Sequence, residues 1–434
     1  MEIGEMKTYA TDSGRAWSIA ILLFLLSVVN FVDKLVLGIS AVPIMKEFGL
    51  SPSVFGVLGS SFFALYAISG ILTGLFIVNR VAPKMLLVAL VIIWALAQLP
   101  IILGGSLACL FAGRLLLGIG EGPCTPTAYH ALYGWFSPGK RNLPTSLLVA
   151  GFGIGFLAGA PILEAIIKTH GWRAAFTFCF IICVVWLILW LIFGADGPLV
   201  GRKESEATGP TIPWRKFWSD RTVIANIILA TCCYWLVGIS ITWLAPYLQL
   251  GLGYSGKETG WLVSLILGSQ IIVQTCLSFG SHYLLNHGHS SRLSRGTVNA
   301  VAVTLAGVAL VAATLITQPE LRIALLVLAF SMPQVTFVLG PAIVGEIAPS
   351  HQRGTALLIT YTVITVGGLF SPIVTGWIIQ AAGHARLIGY AHGFWLTGAI
   401  LIAGGLWGIP HLNPEATRAR FGRVTKTLFP EGNA

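Results

Sequence analysis

The chain reads as an all-α membrane protein: twelve transmembrane helices in two pseudo-symmetric six-helix bundles. Three observations predict this. Hydrophobic residues fill 56% of the 434 positions and charged residues only 10%, against about 25% charged in a soluble domain. Apolar stretches of membrane-crossing length recur from Ala16 to Pro410. Lys and Arg fall mostly on one side of the spans that those stretches define.

A helix needs about 20 apolar residues to cross roughly 30 Å of hydrocarbon. In lipid each backbone N–H and C=O must be paired within the segment, so such runs read as helices. Twelve are predicted, near 16–43, 53–78, 85–104, 106–134, 142–168, 172–195, 222–250, 258–284, 297–317, 321–347, 353–382 and 389–410. The polar stretch Met1 to Arg15 precedes an apolar run too long for a signal peptide and without a small-residue cleavage site, so the first span reads as retained. The longest polar stretch, containing GRKESEATGP, divides the spans six and six. The expected organisation is an N-terminal bundle over 1–195, a cytoplasmic linker over 196–221, and a C-terminal bundle with a cytoplasmic tail over 222–434.

The net charge of +10 needs no nucleic-acid partner, because topology explains it. With the N-terminus in the cytoplasm, 18 of the 26 Lys and Arg lie in inner segments and 6 in outer ones; Lys34 and Arg114 fall within spans. This bias is the positive-inside pattern with both termini cytoplasmic. The seven Cys are scattered and show no CxxC spacing, so they carry no metal or redox signal. His282, His287 and His289 lack a fourth ligand and read as a solvated loop after span eight. Gly151-x-Gly153-x-Gly155 lies inside a span with no strand before it, so it is no nucleotide fingerprint. No nucleophile–base pair is evident. The chain is expected to be no enzyme and to need no cofactor beyond a coupling proton. Gly70 with Gly74, and Gly155 with Gly159, have the spacing that lets helices approach closely.

The informative residues are the exceptions to the apolar bulk. Ionisable groups inside spans are costly and point to function. They are Asp33 and Lys34 in span one, and Arg114 and Glu121 in span four; their charges cancel. Glu164, Glu346 and His130 lie nearer span ends, where water can reach them. At 1.5 Å per residue, Asp33 lies about 25 Å along its helix and Arg114 about 12 Å along an oppositely running one, which gives them similar depth. Glu121 lies two turns beyond Arg114 on the same face, about 10 Å further in. One reading is an inert ion-pair cluster, although buried pairs add little net stability. The other is an anion site with proton coupling: a planar guanidinium suits a carboxylate, and an anion held by Arg114 or Lys34 would loosen their grip on Asp33 and Glu121 and favour protonation.

These residues sit in motifs that resemble the major facilitator superfamily, and within it the anion:cation symporter family. GRLLLGIGEGP (Gly113–Pro123) is similar to the family's fourth-span motif. WFSPGKR (Trp135–Arg141), GWRAAF (Gly171–Phe176), NFVDK (Asn30–Lys34), GEIAPSHQRGTAL (Gly345–Leu357) and GGLFSPIVTGWI (Gly367–Ile378) match further segments. The resemblance implies that Asp33 and Glu121 couple protons, that Lys34 and Arg114 meet those acids and the substrate, and that Tyr66 lines the site. Four departures stand out. Lys34 replaces the family's first-span Arg. The loop motif after span two reads Asn79-Arg80-Val81-Ala82, with Lys84 following, where Asp-Arg-x-Gly is usual. His282 and Tyr283 stand where Asp-Arg is common. Tyr361 or Thr365 replaces a span-eleven asparagine.

Tyr234, Trp235, Trp243, Tyr247, Gln270, Gln274 and Gln334 add candidate lining from the C-terminal half, with Gln270 and Tyr361 assigned to substrate binding. This aromatic content suggests an aromatic or lightly hydroxylated carboxylate. The expected function is import of a small organic anion with protons by alternating access. An exchanger, uniporter or exporter of the same fold is the alternative, since Gly155-x-x-x-Gly159 with Pro161 is similar to antiporter helices; a receptor or scaffold is the reading from another class. The short loop after span one and the absence of any Asn-x-Ser/Thr sequon point to a bacterial inner membrane, and the family resemblance to a monomer.

Overall fold

The computed structural model describes residues 13–77, 80–137, 140–199 and 211–428, and the regular structure among them is helical. Twelve helices are long and apolar enough to cross a membrane: α1 (Gly14–Ile39), α2 (Pro52–Ile77), α3 (Pro83–Leu103), α4 (Leu107–Tyr133), α5 (Leu143–His170), α6 (Trp172–Phe193), α7 (Arg221–Thr242), α8 (Gly256–Asn286), α9 (Arg292–Leu315), α10 (Pro319–Ile347), α11 (Gln352–Ala381) and α12 (Leu387–His411). Residues 200–210 of the linker, including GRKESEATGP, lie outside the described residues.

Two sequence expectations are corrected. Span seven was drawn to residue 250, but α7 ends at Thr242, followed by a short helix at Leu244–Pro246 and a wide turn at Tyr247–Gly251. Pro246 has no N–H to return to the Thr242 carbonyl four residues back, and its ring crowds that carbonyl, which weakens the helix at this point. His282 and Tyr283 are not in a loop, because α8 runs on to Asn286. His287 follows directly and stacks near the Tyr283 ring at 3.9 Å. Among the described residues no His, Cys, Asp and Glu group could hold a metal.

Helix starts follow their local sequence. Ser51 caps α2 through the Val54 N–H, with Pro52 in the first turn. Asp220 caps α7 through the Thr222 N–H at 2.9 Å. Ser255 and Glu258 form a reciprocal capping box at α8. Each side-chain oxygen satisfies a backbone donor that the helix leaves unpaired.

In the N-terminal bundle α1 packs on α5 and α6, and α3 lies against α4 and α6. In the C-terminal bundle α9 packs on α12 and α10, and α7 on α12. Trp186 and Trp190 stack at 5.3 Å inside the first bundle, their indole N–H groups donating to the carbonyls of Leu22 and Lys84. Outward-facing chains such as Leu103, Ile192 and Phe193 are apolar and exposed, as a lipid-facing coat requires.

The bundles meet through α2 with α11, α5 with α8 and α1 with α7. Close backbone approaches gather at the end bearing the α1–α2 loop. A Cβ on Gly38 would lie 2.3 Å from the Ile241 carbonyl oxygen, and one on Gly56 2.3 Å from that of Pro372. A Cβ on Gly376 would reach the Pro52 oxygen at 2.5 Å. Phe55 packs edge-on to Trp243, whose indole N–H donates to Pro372. At the same end Glu47, in the connecting helix Ala41–Phe48, accepts two hydrogen bonds from Arg173 at 2.7 and 3.0 Å and one from the Trp172 indole at 2.7 Å. At the opposite end ion pairs Arg295–Glu346 (2.6 Å) and Arg420–Asp220 (2.7 Å) tie the C-terminal bundle to itself.

Two outcomes follow. Gly56→Val should pry α2 from α11, and amide exchange should rise in residues 52–60 and 368–380 of the purified protein while exchange at the Arg295–Glu346 end stays unchanged. The Arg173 and Trp172 hydrogen bonds hold the Glu47 carboxyl below the usual glutamate range. A lowered folded value stabilises above the unfolded value and is lost as pH falls through the folded one. Glu47→Gln should therefore melt earlier than the parent at neutral pH, and the gap in melting temperature should close on acidification below the ordinary glutamate range.

Candidate functional site

The site is built on the GRLLLGIGEGP segment of α4. A Cβ on Gly118 would lie 2.3 Å from the Phe62 carbonyl oxygen, and one on Gly122 2.2 Å from that of Tyr66. A Cβ on Gly120 would lie 2.9 Å from the Leu90 oxygen on α3. Missing side chains thus let α4 wedge between α2 and α3 at backbone contact. The first helical segment of α4 ends at Glu121, just before Gly122 and Pro123, and a second begins at Cys124; Pro123 has no N–H to continue the ladder. Arg114 and Glu121, two turns apart, are both 1% exposed.

From α1 come two consecutive residues that a helix turns about 100° apart. Asp33 faces α3 and is fully buried. Its Oδ2 accepts from the Trp94 indole N–H at 2.5 Å, and its Oδ1 from the Gln98 amide at 2.7 Å. Lys34 faces the other way. Its ammonium donates to Asn30 Oδ1 at 2.5 Å and stands 3.3 Å from Glu121 Oε2. It also lies over the Phe31 ring at 4.4 Å and near the Tyr66 ring at 5.7 Å.

Arg114 sits over the Phe62 ring at 4.9 Å, within the electrostatic reach of both Asp33 and Glu121. Its Nε and Nη1 are buried with no hydrogen-bond partner, and neither oxygen of Glu121 accepts an aligned hydrogen bond. Buried donors without acceptors are costly. A guanidinium with an open edge, beside an acid bound only by an ion pair, has the chemistry to receive an anion.

The C-terminal bundle adds uncharged rings. Tyr234 on α7 lies 6.2 Å from Phe63, 5.8 Å from Phe337 and 6.3 Å from Tyr361. The phenol of Tyr66 interacts with those of Tyr234 and Tyr361. Tyr66 and Tyr234 are buried, whereas Tyr361 is 40% exposed.

The Major Facilitator Superfamily model matches residues 23–335, a stretch that holds this whole cluster except Tyr361 and Phe337. The chain belongs to the Major Facilitator Superfamily. It is a multi-pass membrane transporter of small organic molecules, with the fold of a transporter and not of an enzyme. Among similar proteins are a probable sulfoacetate transporter of Cupriavidus necator, 26% identical over 92% of this chain and 95% of that one, and a hexuronate transporter of Bacillus subtilis, 25% identical over 89% and 91%. A chloroplastic ascorbate transporter of Arabidopsis thaliana is 24% identical over 89% and 74%. In fold, the chain is similar to the inward-facing, unoccupied structure of a bacterial homologue of the human lysosomal transporter Spinster, with a TM-score of 0.79 at 18% identity over 94% and 98% of the two chains.

Of the predicted residues, the structure of this superfamily member brings Asp33, Lys34, Arg114, Glu121, Tyr66 and Tyr361 together. Gln270 is nearly buried at a break in α8, where its neighbour Ser269 meets Ser331 of α10 at 2.9 Å. Trp243 and Tyr247 are not site residues: both pack at the sealed loop end, against Tyr390. In the loop motif, Asn79 lies outside the described residues, and Arg80 is exposed, its backbone N–H bonded to Ile77. The Lys84 N–H is capped by Asp196, from beyond α6, at 2.8 Å; that carboxylate sits at the start of α3 where the helix dipole favours it. The glycines Gly155 and Gly159 pack against Val28, Phe31 and Val32 of α1, plain helix contact.

Trp94 and Gln98 were missed from sequence. They stand four apart and so share a helix face, and a search that counted buried amides and indoles beside ionisable groups would have found them.

Breaking one side of a buried ion pair strands the other charge at a cost of up to about 3–5 kcal/mol. Lys34→Met should lower the melting temperature more than the double substitution Lys34→Met with Glu121→Gln, as a thermal double-mutant cycle in detergent would measure.

Proposed function

We propose that this transporter imports a small organic anion together with protons, as a member of the anion:cation symporter family. The observation that carries the reading is Arg114: fully buried, with its Nε and Nη1 donors unanswered, beside a carboxyl ion-paired to Lys34. An incoming carboxylate would complete the guanidinium's hydrogen bonds in planar, paired fashion and compete with Glu121 for Lys34. Glu121, released from its cation in a dry site, would then favour its neutral form, so anion and proton would load together. Relatives named for sulfoacetate, hexuronate, ascorbate and galactarate or D-glucarate transport support an anionic cargo. The ring-rich wall of Phe63, Tyr234 and Phe337 favours a carboxylate of low hydroxyl content, aromatic included.

With both termini in the cytoplasm of a bacterial inner membrane, the sealed loop end is the outer one, and we read the arrangement as inward-facing. Alternating access would open the Gly38, Gly56 and Gly376 contacts and close the opposite end. The transporter would act as a monomer, the bundles over 1–195 and 222–434 rocking about the site.

Uptake into proteoliposomes with an imposed pH gradient tests this. An inward proton gradient should accelerate uptake and drive accumulation. Glu121→Gln should keep exchange across the membrane and lose accumulation. Gradient-independent exchange by the parent protein would favour the exchanger or uniporter instead, and uptake confined to hexonates and hexuronates would remove the aromatic preference.

A further inference from the structure

We propose that a recess between the ends of α7 and α12 binds an anionic membrane phospholipid, its phosphate on Arg221 and an acyl chain along the apolar strip that continues from it. The site stands apart from the transported cargo and its coupling, and it holds whichever way the chain is oriented in the membrane.

The recess measures about 280 Å³ and is lined by Arg221, Ile224, Trp407 and His411. Arg221 opens α7 and His411 closes α12. It therefore lies where two neighbouring spans leave the hydrocarbon, the level at which headgroups sit and tryptophan is favoured. Its aromatic side is held in place. The His411 Nδ1–H donates to the Trp407 carbonyl at 2.8 Å, and the imidazole stacks on the Trp407 indole at 4.1 Å with 18° between the planes. Ile224 and Ile228 stand one turn apart on α7 and are both exposed, so they carry the apolar lining from the recess toward the middle of the membrane.

Charge decides the occupant. Arg221 is exposed and forms no ion pair or side-chain hydrogen bond among the described residues. The acids at this end are already answered. Asp220, next to it in sequence, accepts from Arg420 at 2.7 Å, from the Thr417 hydroxyl at 2.8 Å and from the Thr222 N–H at 2.9 Å. Glu346 pairs with Arg295, and Glu415 accepts from the Ser291 N–H at 2.5 Å. A guanidinium without a carboxylate can hold a phosphate through two parallel N–H bonds, and basic pockets between spans at headgroup level take anionic lipids. A soluble phosphate would use the guanidinium and leave the indole and the two isoleucines unused. A zwitterionic headgroup brings its own cation, whereas an anionic one cancels Arg221. Exposed Arg215 and Lys216, on the short helix Trp214–Trp218 before α7, and exposed Arg418 beyond α12 strengthen the same positive field.

Native mass spectrometry of the full chain, released from nanodiscs of equal parts phosphatidylglycerol and phosphatidylcholine, tests the site. The parent should retain phosphatidylglycerol over phosphatidylcholine by about fivefold, the preference that one basic residue confers at a membrane surface. Arg221→Gln should abolish the preference. Arg221→Lys keeps the charge without the planar fork and should fall between the two. Arg353→Gln removes a different exposed cation, at the start of α11, and should leave the preference unchanged. Equal retention of the two lipids by the parent, a preference that survives Arg221→Gln, or one that disappears equally in Arg353→Gln overturns the site. Displacement of phosphatidylglycerol by millimolar inorganic phosphate would make the recess a site for a soluble anion and overturns the lipid assignment too.

Discussion

Charge buried in a hydrocarbon setting has to be cancelled locally, and this structure is arranged around one such cancellation. Two acids and two bases from α1 and α4 share a buried volume between helices. Desolvating each is expensive, so geometry must return the cost through close partners. Lys34 finds Glu121, Asn30 and two rings. Asp33 finds an indole and an amide. Arg114 and Glu121 are left without hydrogen bonds on Nε and Nη1 and on both carboxyl oxygens.

That arrangement depends on how near the backbones come. Gly118, Gly120 and Gly122 remove the side chains that would hold α4 away from α2 and α3. The break before Pro123 then ends the first helical segment at Glu121, so the acid sits at a discontinuity instead of mid-helix. The same use of missing side chains recurs at the loop end, where Gly38, Gly56 and Gly376 bring the two bundles to backbone contact. One set of close approaches builds a fixed site within a bundle. The other joins the bundles through backbone contact, with the Phe55–Trp243 ring pair beside it.

Most of the fold was legible because membrane solvation writes a strong signal: each span is a long apolar run, and boundaries differ by a few residues. The exception is the early end of α7, where the apolar run continues past Pro246 although the helix does not. The four ionisable residues were legible for the same solvation reason, being rare where charge is costly. Their pairing was not. Sequence spacing places Arg114 and Glu121 on one face, but it does not say that adjacent Asp33 and Lys34 point to different neighbours. Trp94 and Gln98 share a helix face by their spacing, but neutral polar groups in a span are common and only the position of α3 shows that they hold Asp33. Trp243 and Tyr247 show the converse error: aromatic character marks packing and lining alike, and only depth along the helix separates them.

The cluster's charges all come from the N-terminal bundle, while the C-terminal bundle offers it phenols and rings. The two halves would in this way face different selective regimes. Exchanges among Tyr234, Phe337 and Tyr361 alter shape and hydrogen bonding without disturbing any charge balance, so that wall is free to drift toward new cargoes. The opposite wall tolerates almost no change that is not made in compensating pairs. Lineages built on this plan should diversify in what they carry far faster than in how they power it.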